Sequence, residues 1–414
     1  MNLYKHQQKI VDDDPKKCGL FLGTGGGKTL TALSLAKGST LVVCPKTTRD
    51  DRTWQNNIGK MTNATFELIV VSKEDFRRDW DKLPHFDTVI GDEIHQMCGI
   101  SPSIVWRQKK PYPKTSQLFD ALHSFLQKHP PERLYLLTAT PIRSPMSVYA
   151  LGLLLGKTWD FYQFRSIYYT PVLMNMREIW VPKKDQETQE RLGKCVQGLG
   201  YTGKLDDWVD VPEQTHKVIN VPLSSEQVQK LKELPIEFPD PLVLTNKKHQ
   251  VEQGVLKGNE FEDSLLFPSN KLEAIYDLCI EYPKVLIFAK YTDQIDYIKA
   301  YLFDKGIQSL VLDGRTSNRE QVMRDAEYSP FFNVVIAQSS VSAGYELPSF
   351  RCTIYASESY SYVDHAQSLG RTLRINNLQK NLYVYLVSGE IDKAVRKALE
   401  NKSDFNEAIY AKII

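Results

Sequence analysis

Short apolar runs alternate with amphipathic stretches over the first 140 residues of the chain. Segments with helical periodicity, among them residues 28–37, separate the apolar runs CGLFL, LVVCP, FELIVVS, FDTVIGDE and RLYLLTATP. Buried parallel strands joined by crossover helices produce this rhythm, because helices cover both faces of such a sheet. The pattern predicts a parallel α/β domain at the start of the chain.

The same rhythm returns from about residue 269. The helical segments KLEAIYDLCIEY and DQIDYIKAYLFDKG alternate with the strand-like runs VLIFAKY, SLVLDG, NVVIAQSS, CTIYAS and NLYVYLV. Residues 159–265 lose the alternation and carry scattered prolines, glycines and lysine pairs. We predict an α/β protein with two parallel-sheet lobes, 1–158 and 266–414, and a small, mainly helical connector, 159–265, that offers no obvious strand-splitting hairpin.

Length and hydropathy agree with a two-domain protein. The 414 residues exceed the size at which one hydrophobic core usually stops growing. No apolar run is long enough to cross a bilayer, and the first 17 residues lack the apolar stretch of a signal peptide. We expect an intracellular, cytoplasmic protein with no membrane partner; the oligomeric state stays open, and a monomer fits.

Charge and cysteine spacing exclude other classes. The formal net charge is only +2, so any nucleic-acid site must be a local feature and not a global basic field. The six cysteines show no CxxC spacing, which disfavours a zinc site or a disulfide framework. The eight histidines include no HExxH spacing. We therefore expect buried or inert thiols and no structural metal.

A glycine-rich segment, LGTGGGKT at 22–29, lies where a predicted strand gives way to a helix. Glycines let backbone N–H groups converge on phosphate oxygens, and the helix N-terminus adds its dipole. Lys28 would reach the outer phosphates, and the Thr29 hydroxyl would hold Mg²⁺. The strict motif has glycine where this chain has Leu22, so a plain glycine turn is the alternative. The predicted phosphate-binding residues are Gly23, Thr24, Gly25, Gly26, Gly27, Lys28 and Thr29.

Two carboxylates, Asp92 and Glu93, end the apolar run TVIG. Both would emerge at the carboxyl edge of a parallel sheet, beside the glycine-rich loop. Asp92 would organise Mg²⁺ through its waters, and Glu93 would position and deprotonate the attacking water. An isolated Asp-Glu pair is usually a solvated strand end, but the loop upstream favours the catalytic interpretation.

Near the C-terminus Gln367, Arg371 and Arg374 are spaced i, i+4 and i+7. On a helix these three side chains would share one face. Arginine presents a permanent charge and a planar fork, which suit a γ-phosphate during transfer. A solvated stripe or a salt-bridge stripe is the alternative for the arginines alone.

Several motifs resemble those of superfamily 2 helicases. The tetrad DEIH at 92–95 is similar to the DEAH form of that family's second motif, TATP at 138–141 to the motif after it, and QSLGRTLR at 367–374 to QxxGRxxR. LYKHQ at 3–7 resembles the adenine-reading segment, which implies that Gln7 binds the base. The resemblance also implies track contacts from VCPK, VSK and LDG, whose candidate residues are Lys46, Ser72, Lys73 and Gly314.

This resemblance implies two RecA-like lobes of the P-loop NTPase fold, with ATP and Mg²⁺ bound between them and hydrolysis coupled to movement along DNA. Within the superfamily, TPIR at 140–143, SNKL at 269–272 and GEID at 389–392 resemble Swi/Snf-type DNA translocases. Asn376-Asn377 departs from the Gly-Gln that follows the last motif there. An RNA helicase and a non-translocating ATPase clamp on nucleic acid remain the alternatives.

Two aromatic segments have a second possible use. Residues 106–114 interleave basic and aromatic side chains in a predicted loop, which suits either a grip on nucleic acid or a solvated loop. The cluster WDFYQFRSIYY at 159–169 suits a hydrophobic core better than base stacking, because its aromatic spacing is mixed.

Overall fold

The computed structural model describes residues 3–59, 66–107, 110–174, 177–203, 207–208, 212–258, 263–341, 347–372 and 380–401. The chain divides into two compact units, Met1–Val209 and Asp210–Ile414. The region predicted as a separate connector is shared between them, with 159–209 in the first unit and 210–265 in the second. Among the described residues, no helix combines the length and the apolar character that crossing a membrane requires.

The first unit is built on one parallel sheet. Its elements are α1 (Lys5–Asp12), β1 (Lys17–Leu22), α2 (Lys28–Leu35), β2 (Gly38–Cys44), α3 (Lys46–Asp50), α4 (Thr53–Ile58), β3 (Phe66–Ser72), α5 (Lys73–Asp79), β4 (Thr88–Gly91), β5 (Ile100–Arg107), β6 (Lys110–Thr115), α6 (Gln117–Lys128), β7 (Arg133–Leu137), α7 (Pro145–Leu154), α8 (Phe161–Tyr168), β8 (Tyr169–Met174), β9 (Arg177–Pro182), α9 (Gln186–Gln197) and β10 (Gly200–Gly203).

All neighbouring strands of this sheet are parallel, in the order β10-β1-β7-β4-β2-β3. The inner strands are almost wholly buried, which explains their continuous apolar runs. Hydrophobic clusters lie on both faces: one contains Phe125 and Leu136, the other Leu33 and Tyr135. Most aromatic side chains of 159–169 pack in the first cluster, as predicted.

Two β-hairpins project from this unit, and both were missed. The first joins β5 to β6, so the predicted loop at 106–114 is wrong for its described residues; Gln108 and Lys109 lie outside them. Pro111 and Pro113 argued against a strand, yet a two-stranded hairpin leaves alternate N–H groups unpaired and so tolerates proline. The second joins β8 to β9 within 159–265, where no strands were predicted.

The second unit is built on a second parallel sheet. Its elements are β11 (Gln214–Asn220), α10 (Ser225–Glu237), α11 (Pro241–Glu252), β12 (Val255–Leu256), β13 (Leu265–Leu266), α12 (Asn270–Glu281), β14 (Val285–Ala289), α13 (Thr292–Asp304), β15 (Ser309–Leu312), α14 (Arg319–Tyr328), β16 (Val334–Gln338), β17 (Cys352–Tyr355), α15 (Tyr362–Leu369), β18 (Asn381–Val387) and α16 (Gly389–Glu400).

The second sheet is also fully parallel, in the order β11-β18-β17-β14-β16-β15. Every strand predicted after residue 269 is present, so the structure confirms the α/β class with two parallel sheets. β10 and β11, from the predicted connector, add edge strands to the first and second sheets respectively. This pairing explains why 159–265 divides between the two units.

A buried cluster of charged side chains connects three helices of the second unit to one another. Asp392 of α16 accepts hydrogen bonds from Lys271 Nζ of α12 at 2.6 Å and contacts His249 Nε2 of α11 at 3.0 Å. Glu252, also on α11, accepts from the backbone N–H groups of Ile391 and Asp392 at 3.1 and 3.0 Å. The segments SNKL and GEID therefore meet through the pair Lys271–Asp392.

Candidate nucleotide site

The glycine-rich loop joins the buried strand β1 to α2, as predicted. Gly25 and Gly27 have φ angles of 80° and 73°, values that residues with a Cβ rarely adopt. Lys28 begins α2, and its Nζ donates to the carbonyls of Leu22 at 2.9 Å and Gly23 at 3.2 Å. The ammonium is thus held over the loop whose N–H groups would receive a phosphate.

Gln7 lies directly behind this loop. Its side chain is buried; its Oε1 accepts from Tyr4 N at 2.8 Å, and its Nε2 donates to Gly27 O at 3.2 Å. A Cβ built on Gly27 would lie 2.1 Å from Gln7 Nε2, so only glycine permits this approach. The predicted adenine-binding residue therefore lies against the phosphate loop, while its contact with a base stays a prediction.

An aromatic pair, missed in the sequence, lies beside the same loop. The His6 ring stacks on Trp208 with centroids 4.1 Å apart and planes 11° apart. His6 Nε2 lies 3.1 Å from Gly26 O. His6 adjoins Gln7 in the segment LYKHQ and could have been predicted to lie near the nucleotide, whereas no sequence motif includes Trp208.

Glu93 is linked to the motif TATP through a histidine. After β4, Glu93 has a φ of 47°, and its Oε2 lies 3.2 Å from His95 Nδ1. The same Nδ1 lies 3.0 Å from Thr138 Oγ1, which accepts from Thr140 N at 3.0 Å. A non-glycine residue in the left-handed region is typical of functional turns. The arrangement holds the predicted base in a defined position.

Asp92 is almost completely buried at the end of β4. Its Oδ1 accepts from Glu93 N at 3.0 Å. Burial, followed by the neighbouring charge of Glu93, raises the pKa of Asp92 to about 7, while Lys28 acts in the opposite direction. A buried carboxylate beside a second carboxylate is chemically suited to a cation.

The predicted magnesium ligands fit this environment. Within the described part of the chain, no group of three or more His, Cys, Asp or Glu side chains could hold a metal ion. Mg²⁺ in phosphoryl-transfer sites is usually held by one or two protein groups together with phosphate oxygens and waters. Thr29, at the start of α2, and Asp92 would therefore hold the ion, which would neutralise phosphate charge.

The structure corrects the predicted arrangement of Gln367 and Arg371. These two residues do not share one helix, because α15 ends at Leu369. The backbone carbonyl of Gln367, whose helical hydrogen bond would continue α15, instead accepts from Gly370 N at 3.2 Å and from Arg371 Nε at 3.1 Å. Gln367 and Arg371 are both buried, with 7% and 8% of their surface exposed. Arg374 lies outside the described residues, so its position stays a prediction.

The candidate track residues lie at the carboxyl ends of strands. Lys46 is exposed at the start of α3, immediately after β2, and Lys73 begins α5, after β3. The Lys73 ammonium donates to Gln96 Oε1, in the turn that follows Glu93. Ser72 is 1% exposed and caps α5 by accepting from Asp75 N at 3.1 Å, so its hydroxyl has a structural use.

Gly314 is the candidate track residue of the second unit. It follows β15 and is exposed, and its N–H donates to Gln338 Oε1 at the end of β16 at 3.4 Å. The carboxyl ends of parallel strands are where α/β proteins usually bind ligands.

Comparison with known proteins bears on the second unit. The model of the helicase conserved C-terminal domain matches residues 270–376. This part of the second unit is therefore similar to helicase C-terminal domains. The matched region extends from α12 through α15 and includes Gln367, Arg371 and Arg374. The match confirms the predicted helicase-type, nucleic-acid-dependent ATPase.

One solved structure and the curated proteins complete the comparison. The SWI2/SNF2 ATPase core of Sulfolobus solfataricus in complex with dsDNA is similar over 100% of this chain and 93% of its own, with 17% sequence identity and a TM-score of 0.41. No curated protein matches the chain.

Proposed function

We propose that this chain is an ATP-dependent DNA translocase of superfamily 2, which converts ATP hydrolysis into movement along duplex DNA. One observation carries the proposal: a chain with a helicase C-terminal domain in its second unit has a glycine-rich loop and an Asp-Glu pair in its first. The loop and the pair follow β1 and β4 of one parallel sheet, and so lie at its carboxyl edge.

Hydrolysis follows from the residues of the first unit. Lys28 exchanges its carbonyl partners for the outer phosphates of ATP, and the loop N–H groups bind phosphate oxygens. Glu93 orients the attacking water and takes its proton, held in place by its contact with His95. Thr29 and Asp92 would hold Mg²⁺, which would offset the negative charge of the phosphates.

The second unit supplies positive charge for the same reaction. Arg371 and Arg374 stabilise the γ-phosphate as it departs. The backbone carbonyl of Gln367 positions the Arg371 guanidinium by accepting its hydrogen bond. Release of phosphate removes this attraction, so each hydrolysed ATP drives one cycle in which the contacts with the DNA change.

Duplex DNA is the proposed track because the motif order resembles that of Swi/Snf-type translocases. The segments SNKL and GEID, which carry that resemblance, are joined by the ion pair Lys271–Asp392 at 2.6 Å. Lys46, Lys73 and the exposed Gly314 backbone contact phosphates without reading sequence. Backbone contacts of this kind follow a groove whose width distinguishes B-form DNA from A-form RNA.

Triplex displacement tests movement directly. The wild-type protein and Glu93→Gln are incubated with ATP and a duplex that carries a third strand, and with a forked duplex. We expect ATP-dependent displacement of the third strand by the wild type only, and weaker unwinding of the fork. Unwinding without displacement favours a helicase, and ATP hydrolysis with neither favours a clamp; either result contradicts the proposal.

A further inference from the structure

The hairpin β5–β6 begins close to the proposed catalytic base. The turn Ile94–Gln96 follows Glu93, and β5 starts four residues after Gln96. Gln96 Oε1 accepts from the Lys73 ammonium. The root of the hairpin thus adjoins both the Asp-Glu pair and a proposed track contact.

The root of the hairpin is firmly attached. Ile100 is buried in the core, and Ser116 N donates to Gly99 O at 2.7 Å, which closes the two strands. Arg165 Nη1 donates to Pro102 O at 3.0 Å, while its guanidinium lies 3.9 Å from the centre of the Trp180 ring. A change at the exposed part should therefore leave the unit folded.

The exposed part is basic and aromatic. Residues 100–115 contain one arginine and three lysines and no Asp or Glu. Lys110, Tyr112 and Lys114 alternate along β6 and so point to one face, and all three are exposed. Trp106 pairs with Pro111 and points to the other face, with 72% of its surface exposed.

A second hairpin of the same unit provides a contrast. Residues 169–182, which form β8 and β9, contain one arginine and one glutamate, so their formal charges cancel. Leu173 there is 78% exposed, so exposure alone does not distinguish the two hairpins. The distinguishing property of β5–β6 is the combination of uncompensated positive charge with exposed aromatic rings.

This combination matches the chemistry of an unpaired nucleic-acid strand. Lys110 and Lys114 lie about 13 Å apart along an extended strand, with Tyr112 between them. Lysines attract phosphates, and aromatic rings stack on bases whose faces are free, which duplex bases do not offer. An acidic protein partner would satisfy the lysines but gives no reason for exposed rings on both faces.

We propose that the hairpin β5–β6 binds an unpaired segment of the nucleic-acid track, with Lys110 and Lys114 on phosphates and Trp106 and Tyr112 on bases. The proposal rests on the proposed function, because the bound strand belongs to the track. It adds a preference for junctions: the protein binds a duplex with single-stranded arms more tightly than a blunt duplex.

The test measures binding of fluorescent DNA by anisotropy, with a forked duplex that has oligo-dT arms and a blunt duplex of the same sequence. We expect the wild type to prefer the fork by at least about tenfold, which corresponds to about one stacked base. Trp106→Ala/Tyr112→Ala should lose that preference and retain blunt-duplex binding. Trp106→Phe/Tyr112→Phe should retain both. Leu173→Ala is the matched control, and its fork preference should equal that of the wild type.

Salt dependence tests the lysines separately. Lys110→Ala/Lys114→Ala should make the slope of log K against log salt for the fork shallower by about 1.4. Each phosphate contact to a single strand contributes about 0.7 to the magnitude of that slope. Unchanged preference and slope in these variants, or equal losses on fork and blunt duplex, would overturn the hairpin proposal. The proposed function fails separately, if no nucleic acid stimulates wild-type ATP hydrolysis.

Discussion

Glu93 combines an unusual backbone conformation with a proposed role as the catalytic base. Its φ of 47° places it in the left-handed region, and His95 Nδ1 lies 3.2 Å from its carboxylate. We expect Glu93→Gln to bind ATP normally and to hydrolyse it about 10²- to 10⁴-fold more slowly, because the phosphate loop is intact while the base is lost. Lys28→Ala should weaken both properties. Single-turnover hydrolysis and fluorescent-nucleotide binding measure them; a parent rate in Glu93→Gln would refute the assignment of the base.

His365 makes stability depend on pH. It is buried, with Nδ1 3.3 Å from Glu358 Oε1, and burial, followed by the charge of Arg396, lowers its pKa to about 3. The unfolded chain, with a histidine pKa near 6.5, then binds more protons than the folded chain between about pH 3 and 6.5. His365 therefore opposes stability increasingly as pH falls through this range.

The comparison of wild type with His365→Gln isolates this effect. Burial raises the pKa of Glu358 to about 7, which acts in the opposite sense, so only the difference between the two proteins is informative. Between about pH 5.5 and 4, where the unfolded histidine is protonated and the folded one is not, the wild type should lose about 1.4 kcal/mol per pH unit relative to the variant. Denaturant unfolding at several pH values measures this, and parallel pH profiles would contradict it.

The site residues that could be predicted are those within local motifs. The positions of Lys28 and Asp92 after β1 and β4 could be predicted because each strand fixes the residues that follow it, while the roles of both residues stay predictions. The contact of His6 with Trp208 could not be predicted, because it joins distant parts of the chain. The prediction that Gln367 and Arg371 share a helical face was wrong. The helix α15 ends where the backbone carbonyl of Gln367 accepts hydrogen bonds from Gly370 N and from the Arg371 side chain.

At the scale of elements, the ion pair Lys271–Asp392 joins α12 to α16 in the core of the second unit. Lys271 and Asp392 are both buried, so removing one leaves an uncompensated charge. We expect Lys271→Met to lower the free energy of unfolding by about 3–5 kcal/mol, and Lys271→Met/Asp392→Leu to recover a large part of it. Arg324→Ala, which removes the exposed pair with Glu320, should change it by less than about 0.5 kcal/mol. Denaturant unfolding measures all three, and wild-type stability in Lys271→Met would contradict the prediction.

The elements differ in how well the sequence predicts them. Inner strands such as β2 and β14 are buried on both faces and appear as continuous apolar runs. The edge strand β11 was missed because most of its residues are exposed, so QTHKVIN shows no apolar run. The hairpin β5–β6 was missed because its prolines weaken the strand signal while the pairing of its two strands is invisible in the sequence.

For the molecule as a whole, the proposed function requires residues of both units for ATP hydrolysis. Arg371 lies in the region that matches the helicase C-terminal domain, and Lys28 belongs to the other unit. We expect Arg371→Ala to reduce hydrolysis by about 10³-fold or more while the protein stays folded, since an arginine at the transferring phosphate contributes this much. Turnover and thermal unfolding are measured on the same sample, and Arg374→Ala is tested in parallel. Full turnover, or unfolding at the assay temperature, would point to a structural role instead.

The proposed function depends most on duplex DNA being the track that activates hydrolysis. The most direct measurement is steady-state ATP turnover by the wild-type protein, titrated with duplex DNA, single-stranded DNA and RNA at two salt concentrations. We predict that duplex DNA stimulates turnover most and that the stimulation weakens at the higher salt, because the protein contacts mainly phosphates. Stimulation by RNA alone, or turnover that no nucleic acid changes, would contradict it.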